Sequence, residues 1–407
     1  MKVYFFIPLF LFSFGKIIAQ TNIKGKIISA KSEILEGASV FLNNTTFGTI
    51  SDEKGEFQLK IKEGNYVLVV SYLGFKTQQI KINTSEKSKF LVIKLLPETN
   101  LLNEVVIEKT KYDEDWKYNL SRFKQAFLGR SKLANDCIIL NEKTLHFNYN
   151  FKTQALTATT KEPLKIKHKS LGYLITYDLL DFTLVQNKLF FSGYARYENL
   201  KKSIKSKWKK NRLEAYNGSQ MHFLRSLRNK SLKDDGFIVN QFKRVLNPDR
   251  PSNEKIKLAR ELIQLHNYNT PIDLSKNISL PITPLDSAIV IIQKSNAPKY
   301  RDYLYKTNVE YKEMMKSQGK NLLLDFENHL SVIYTKEPEE NNYLVGMFGK
   351  HKKATGVQTS NIVLINGKVV IDESGVPAKP NSLFNEGYWG FESFANMLPL
   401  DYQPVKN

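Results

Sequence analysis

SDEKGEFQLKIKEGNYVLVVSYLGF, residues 51–75, carries the strongest structural signal in the chain. Phe57, Leu59 and Ile61 alternate with Gln58, Lys60 and Lys62, the period of a strand with one buried and one wet face. Tyr66 to Val70 is apolar at successive positions, as in a strand covered on both sides. Between them lie reversals. Asp52 opens a D-E-K-G turn in which its carboxylate can accept backbone N–H groups and Gly55 can take a positive φ. Gly64-Asn65 makes the next reversal, and Gly74 marks a bend or a close backbone approach.

The same texture extends outward over residues 21–96. IKGKII, ASVFL, EFQLKI, YVLVVSY, TQQIKI and FLVIKLL are short, rich in β-branched and aromatic residues, and separated by regular turn signals. In order, Gly25, Gly37-Ala38, Gly48-Thr49, Asp52 with Gly55 and Phe57, Gly64 with Tyr66, and Ser71-Tyr72 before Gly74-Phe75 resemble the carboxypeptidase-regulatory-like domain. That resemblance covers about one fifth of the chain. It implies a seven-stranded-type, transthyretin-like β-sandwich that is itself non-catalytic. Such domains stand beside carboxypeptidases and at the front of TonB-dependent outer-membrane receptors of Bacteroidota-type bacteria. LLNEVVIE, residues 101–108, resembles the segment that follows the domain in those receptors. The roughly 300 residues beyond it are too few for a plug and a 22-stranded barrel, and sustained alternation is missing.

Ahead of the sandwich, Lys2 precedes the uncharged apolar run Val3–Phe14, and Ala19 offers a small residue at a cleavage point. The run is too short to span a bilayer, so residues 1–20 are expected to be a signal peptide, with an uncleaved anchor as the alternative. No later segment is long and apolar enough for a transmembrane helix. The expectation is an exported chain, in the periplasm or at the outer membrane and cell surface. One cysteine, Cys137, rules out an intramolecular disulfide, so stability must come from burial. Beside the apolar run CIIL, it reads as a small buried hydrophobe.

The formal net charge is +20, two units of which belong to Lys2 and Lys16. Residues 21–96 hold 11 Lys and 7 acids, so most of the excess lies beyond the sandwich. In an exported protein this favours acidic polysaccharide, lipid head groups or solubility over nucleic acid, and no nucleic-acid partner is expected.

Residues 111–407 read as one larger β-rich α+β domain after a linker at 97–110. Trp116, Leu120, Phe123 and Phe127 form a helical stripe that Gly129 ends. Seven strand candidates follow between 138 and 197: IILN, TLHFNY, ALTATT, PLKIKH, LGYLITYDL, DFTLV and LFFSGYARY. Two helical stretches come next. SNEKIKLARELIQLHNY is the second, with Ser252 as its N-cap. Near the end, KNLLLDF and HLSVIYTKE flank a polar turn, and NIVLINGKVVIDESG is expected to form a hairpin on a type I′ Asn366-Gly367 turn. FLGRSKLANDCIILN, LGYLITYDLLDF, KWKKNRLEAYNGSQMHFLRSL and IYTKEPEE resemble the large domain of uncharacterised envelope proteins with the same N-terminal sandwich. That resemblance implies no activity.

A search for chemistry finds few local motifs. None of the six histidines has Glu three residues on, so H-x-x-E and H-E-x-x-H are missing. There is no G-x-S-x-G elbow and neither glycine-rich phosphate motif. Carboxylate pairs obey no spacing rule and stay open. No cofactor is expected. Two patches stand out as ligand-surface candidates. Lys201, Lys202, Lys205, Lys207, Lys209, Lys210 and Arg212 surround Trp208 without an acid among them, which suits an anionic polymer or a solvated helix face with Trp208 inward. Tyr388 and Trp389, with Phe391 and Phe394, could stack on sugar rings or fill a core. The expected function is a non-catalytic cell-envelope protein that binds a protein or acidic glycan. The alternatives are a hydrolase of envelope or imported polymer with its site in 111–407, and an accessory to TonB-dependent uptake.

Overall fold

The computed structural model describes residues 20–62, 64–84, 90–98, 111–185, 188–267, 272–319, 321–345, 351–372, 375–377 and 382–405. The expected signal peptide through residue 19 and the LLNEVVIE segment lie outside the described residues. The chain is strand-rich and builds several sheets, with a sandwich-like N-terminal part followed by a larger mixed region. It divides into two compact units. The first holds residues 1–221, 372–376 and 391–407, and the second holds 222–371 and 377–390.

The first unit begins with seven strands: β1 (Gln20–Ser29), β2 (Ser39–Leu42), β3 (Gly48–Ile50), β4 (Glu56–Lys62), β5 (Asn65–Ser71), β6 (Gln78–Asn83) and β7 (Leu91–Leu95). They form two sheets, ordered β4-β1-β7 and β3-β2-β5-β6. Strand β4 alternates as its sequence requires, with Phe57, Leu59 and Ile61 buried. These residues pack with Ile27, Val40, Leu68 and Ile93 in one core. The Asp52 carboxylate accepts the N–H groups of Lys54 (3.0 Å) and Glu56 (2.8 Å), and Gly55 sits at φ +71°. Gly25 lies between Phe57 on β4 and Leu91 on β7. A Cβ there would stand 2.4 Å from the Leu91 carbonyl oxygen, so no larger residue fits without moving backbone. Strand β3, which begins at the Gly48-Thr49 pair, is three residues long and pairs with Ser39–Phe41 of β2.

The same unit continues with α1 (Glu114–Phe127) and a six-stranded antiparallel sheet. Its strands are β8 (Cys137–Ile139), β9 (Leu145–Asn150), β10 (Ala155–Thr160), β11 (Leu164–His168), β12 (Tyr173–Val185) and β13 (Lys188–Asn199). The Asp113 carboxylate caps α1 by accepting the Trp116 N–H at 2.9 Å, and the helix buries Leu120, Phe123 and Phe127 against the sheet. LGYLITYDL and DFTLV, expected as two strands, are one 13-residue strand with an irregularity between Leu179 and Asp181. The sandwich is tied to this sheet by the loop after β2. Asn44 N–H donates to Ala195 O at 2.7 Å, Tyr197 N–H donates to Thr45 O at 3.0 Å, and the Asn43 side chain accepts the Ala195 N–H. From the other side, Leu400 N–H donates to Asn44 O, and Asp401 accepts from the Thr46 N–H at 2.8 Å and from its hydroxyl. Helix α2 (Ser206–Tyr216) follows the sheet, and Gly218, at φ +71°, separates it from α3 (Gln220–Asn229), most of which belongs to the second unit.

The second unit has its own core around Phe223, Leu227, Phe237, Leu330, Val332, Ile362 and Trp389. After the short α4 (Leu232–Asp235) come β14 (Phe237–Leu246), the helices α5 (Asn253–Asn267) and α6 (Pro284–Lys294), and β15 (Tyr300–Lys306). Further strands are β16 (Met315–Gln318), β17 (Asn321–Leu324), β18 (His329–Tyr334), β19 (Gln358–Leu364), β20 (Val369–Ile371) and β21 (Leu383–Gly387). The main sheet runs β15-β14-β18-β19-β21, and β16-β17-β20 form a second one. The expected hairpin at Asn366-Gly367 does not form. Gly367 does turn the chain at φ +78°, but β19 pairs with β18 and β21 while β20 pairs with β17. The turn therefore carries the chain from one sheet to the other.

Candidate functional site

The basic stretch resolves into two sets of side chains. Helix α2 buries Trp208, Arg212, Ala215 and Tyr216, the i, i+4, i+7, i+8 face of a helix. The Trp208 indole N–H donates to Lys169 O at 3.0 Å. Its ring covers Gly172, where a Cβ would come within 2.1 Å of it, and Gly172 has φ +70°. Arg212 is 5% exposed. Its Nε donates to Leu171 O at 2.8 Å, one Nη donates to Asn199 Oδ1 at 2.8 Å, and the guanidinium lies 3.8 Å from the Tyr173 ring centroid. Burial lowers the Arg212 pKa from its ordinary value, with the Tyr173 neighbour acting in the opposite direction. Asn211 adds a bond to Ser170 O at 2.9 Å. Trp208, Asn211 and Arg212 thus hold the 169–172 turn, and Trp208 and Arg212 are removed from the ligand surface by burial.

Lys201, Lys202, Lys205, Lys207, Lys209 and Lys210 are exposed. Lys205 lies 5.4 Å from the Trp208 ring centroid. No acid stands in the first turn of α2, and the helix has no side-chain N-cap. Cations there face the positive end of the helix dipole, an arrangement unfavourable for the helix and favourable for an anion in solution. The structure brings the lysines together on one short loop and helix start.

Tyr388 and Trp389 are not a sugar platform. They are 1% and 8% exposed. The Tyr388 hydroxyl accepts from the Glu340 N–H at 3.3 Å, the Trp389 N–H donates to Ser360 Oγ at 3.0 Å, and the indole packs against Phe223. Phe391 and Phe394 are buried in the first unit. All four aromatics fill cores.

The titratable groups inside the protein are mostly satisfied. Cys137 is buried, and desolvation pushes its thiol up to about 12, so it is no nucleophile at neutral pH. His168 is 1% exposed, and burial holds its pKa down at about 4. Its Nε2 lies 2.8 Å from Ala395 O, and its Nδ1 accepts the Leu171 N–H at 3.2 Å, which together describe a neutral ring. Sequence reading passed over two features. Burial raises Asp178 to about 6. Arg244 grips Asp302 through two bonds of 2.7 and 2.9 Å and reaches Glu386 at 2.7 Å. The first arises from tertiary burial, and the second joins residues far apart in sequence, so neither leaves a local motif. The Arg244 bond holds the Asp302 carboxyl below its ordinary pKa. Among the described residues, no group of three or more His, Cys, Asp or Glu could hold a metal ion.

Comparison with known proteins supplies what these side chains do not. Residues 23–107 match the CarboxypepD_reg-like domain. This stretch is that domain. The chain is 34% identical over 88 residues to TonB-dependent receptor SusC of Bacteroides thetaiotaomicron, covering 22% of this chain and 8% of the receptor. It is 31% identical over 96 residues to TonB-dependent receptor P39 of Formosa agariphila, covering 24% of this chain and 9% of that one. The chain therefore spans less than a tenth of the length of these curated relatives. A type II cohesin–X-dockerin complex from Acetivibrio cellulolyticus contains a chain 19% identical to this one, with 19% of this chain and 58% of that one covered at a TM-score of 0.17. Among the described residues, no helix is long and apolar enough to cross a membrane, which says nothing of strands.

Proposed function

We propose that this chain is an exported, non-catalytic cell-envelope protein that engages an acidic glycan or an envelope protein through its basic surface. The CarboxypepD_reg-like domain at residues 23–107 carries the envelope part of the reading, because its relatives here are TonB-dependent receptors. In this reading residues 1–20 are a removed signal, 21–96 a docking or stability module, 97–110 a linker and 111–407 the partner-binding part. The exposed lysines from Lys201 to Lys210 supply the contact. Six cations on ten residues attract a polyanion at long range, and the attraction falls as salt screens it.

The test is retention of the mature chain on an acidic-glycan panel and on envelope extract at low and high salt, beside a Lys207→Glu, Lys209→Glu, Lys210→Glu variant. Salt-sensitive retention that the variant loses is the expected result. Retention unchanged by the three substitutions would sink the lysine assignment. A second reading, an accessory to TonB-dependent uptake, is favoured by the similarity to the two receptors. It predicts co-purification with an outer-membrane receptor, and a pull-down without one removes it.

A further inference from the structure

The connection between β14 and β15, residues 247–299, is built from α5, α6 and the loop 272–283. Its apolar surface is only partly used. Helix α5 buries Ile256 and Ala259 yet leaves Leu258 64% and Leu265 71% exposed, one stripe at i, i+7. Helix α6 is apolar along most of its length and buries only Ala288 and Ile289. The loop presents Leu280, 81% exposed, and Ile282, 90% exposed, on either side of Pro281.

This loop is held in place. The Gln293 side chain donates to Leu274 O at 2.9 Å and to Lys276 O at 2.8 Å. Thr283 and Asp286 form a reciprocal capping box where the loop enters α6. The two aliphatic side chains are therefore presented by a braced turn. Pro281 and Pro284 contribute no N–H groups, which lowers the desolvation cost of placing this backbone in an apolar medium.

The surrounding charge points to the medium. Residues 247–299 carry seven Lys or Arg against five Asp or Glu. Two of those acids, Asp273 and Asp286, accept hydrogen bonds within their own turns, with Lys276 close enough to act on both. Aliphatic side chains at a loop tip, on a segment with two more cations than acids, suit the boundary between acyl chains and anionic head groups. A protein hot spot would instead centre on a buried aromatic or Arg anchor.

We propose that the 272–283 loop is a membrane-surface anchor. Leu280 and Ile282 insert into the acyl boundary of a phospholipid leaflet, and the cations of α5 meet its anionic head groups. The proposal is independent of the Lys201–Lys210 row, which lies in the other unit.

The test uses the full mature chain in flotation with vesicles of phosphatidylcholine alone and of phosphatidylcholine mixed with phosphatidylglycerol. Binding to the mixed vesicles is expected, with a loss on the order of a hundredfold in Leu280→Ser/Ile282→Ser. Because Cys137 is buried, Ser279→Cys gives one exposed thiol for an environment-sensitive fluorophore, whose emission should shift to the blue on the same vesicles. The Lys207→Glu, Lys209→Glu, Lys210→Glu variant should still shift it. No flotation on either vesicle overturns the anchor, as does flotation that survives the double Ser variant. A concentration-dependent dimer that the double variant dissolves also overturns it, because the loop would then be a self-interface.

Discussion

Arg212→Ala separates the buried from the exposed part of the basic stretch. In the folded chain Arg212 makes two bonds of 2.8 Å, to Leu171 O and Asn199 Oδ1, and stacks on Tyr173 at 3.8 Å. Each charge-assisted bond is worth about 1.5–3 kcal/mol, and a desolvated cation–π contact about 2 kcal/mol. Against that gain stands the desolvation of the guanidinium, which the substitution recovers. Truncation leaves two buried neutral acceptors, Leu171 O and Asn199 Oδ1, without a donor, at about 1–3 kcal/mol each. We therefore expect Arg212→Ala to lower the stability of the first unit by about 2–5 kcal/mol. Arg212→Lys should fall between, because an ammonium cannot reproduce the two-pronged geometry. Lys207→Glu, Lys209→Glu, Lys210→Glu should melt at or above the parent, since acids at the start of α2 suit the helix dipole. Calorimetric unfolding of the four proteins reads all of this. A loss below about 1 kcal/mol for Arg212→Ala refutes the network assignment, since surface substitutions fall in that range.

Two further outcomes follow from the same unit. His168 is neutral when folded, with its pKa at about 4 against an ordinary value of about 6.5. Above pH 6.5 it is neutral in both states and adds no pH dependence. Between pH 6.5 and 4 the unfolded chain takes up a proton that the folded chain refuses, so stability falls as pH falls, by about 3 kcal/mol in full. His168→Gln, which can still donate to Ala395 O, should flatten that part of the slope, and a variant as steep as the parent contradicts the assignment. His222, also held near pH 4 by burial, leaves its own share of the slope in the second unit. Separately, Asp401→Ala removes the acceptor that holds Thr46. Faster amide exchange at Asn44–Phe47 should result, with protection in β4 and β5 unchanged; loss of protection throughout the sandwich would contradict a local clasp.

What could be read from the chain was what its neighbours in sequence determine. The β4–β5 region declared itself because alternation, the Asp52 turn and Gly55 all act within a few residues, and each agrees with the others. The Asn366-Gly367 stretch shows the limit of that logic. Gly367 takes the positive φ that the reading required, but Asn366 does not, so no type I′ turn forms, and the pairing differs too because which edge a strand joins depends on Leu330 and Leu322, far away in sequence. Helix α2 shows a second limit. Its buried face was present in the spacing of Trp208, Arg212, Ala215 and Tyr216, but Arg212 reads as a surface charge until the carbonyls of the 171–172 turn are placed beside it. The same burial that draws Arg212 and Trp208 inward leaves the lysines exposed. A helix that buries one face through an arginine fixes the backbone under Lys207, Lys209 and Lys210, and in the proposed reading cations on a fixed backbone lose less entropy on meeting a polyanion than those on a flexible tail would.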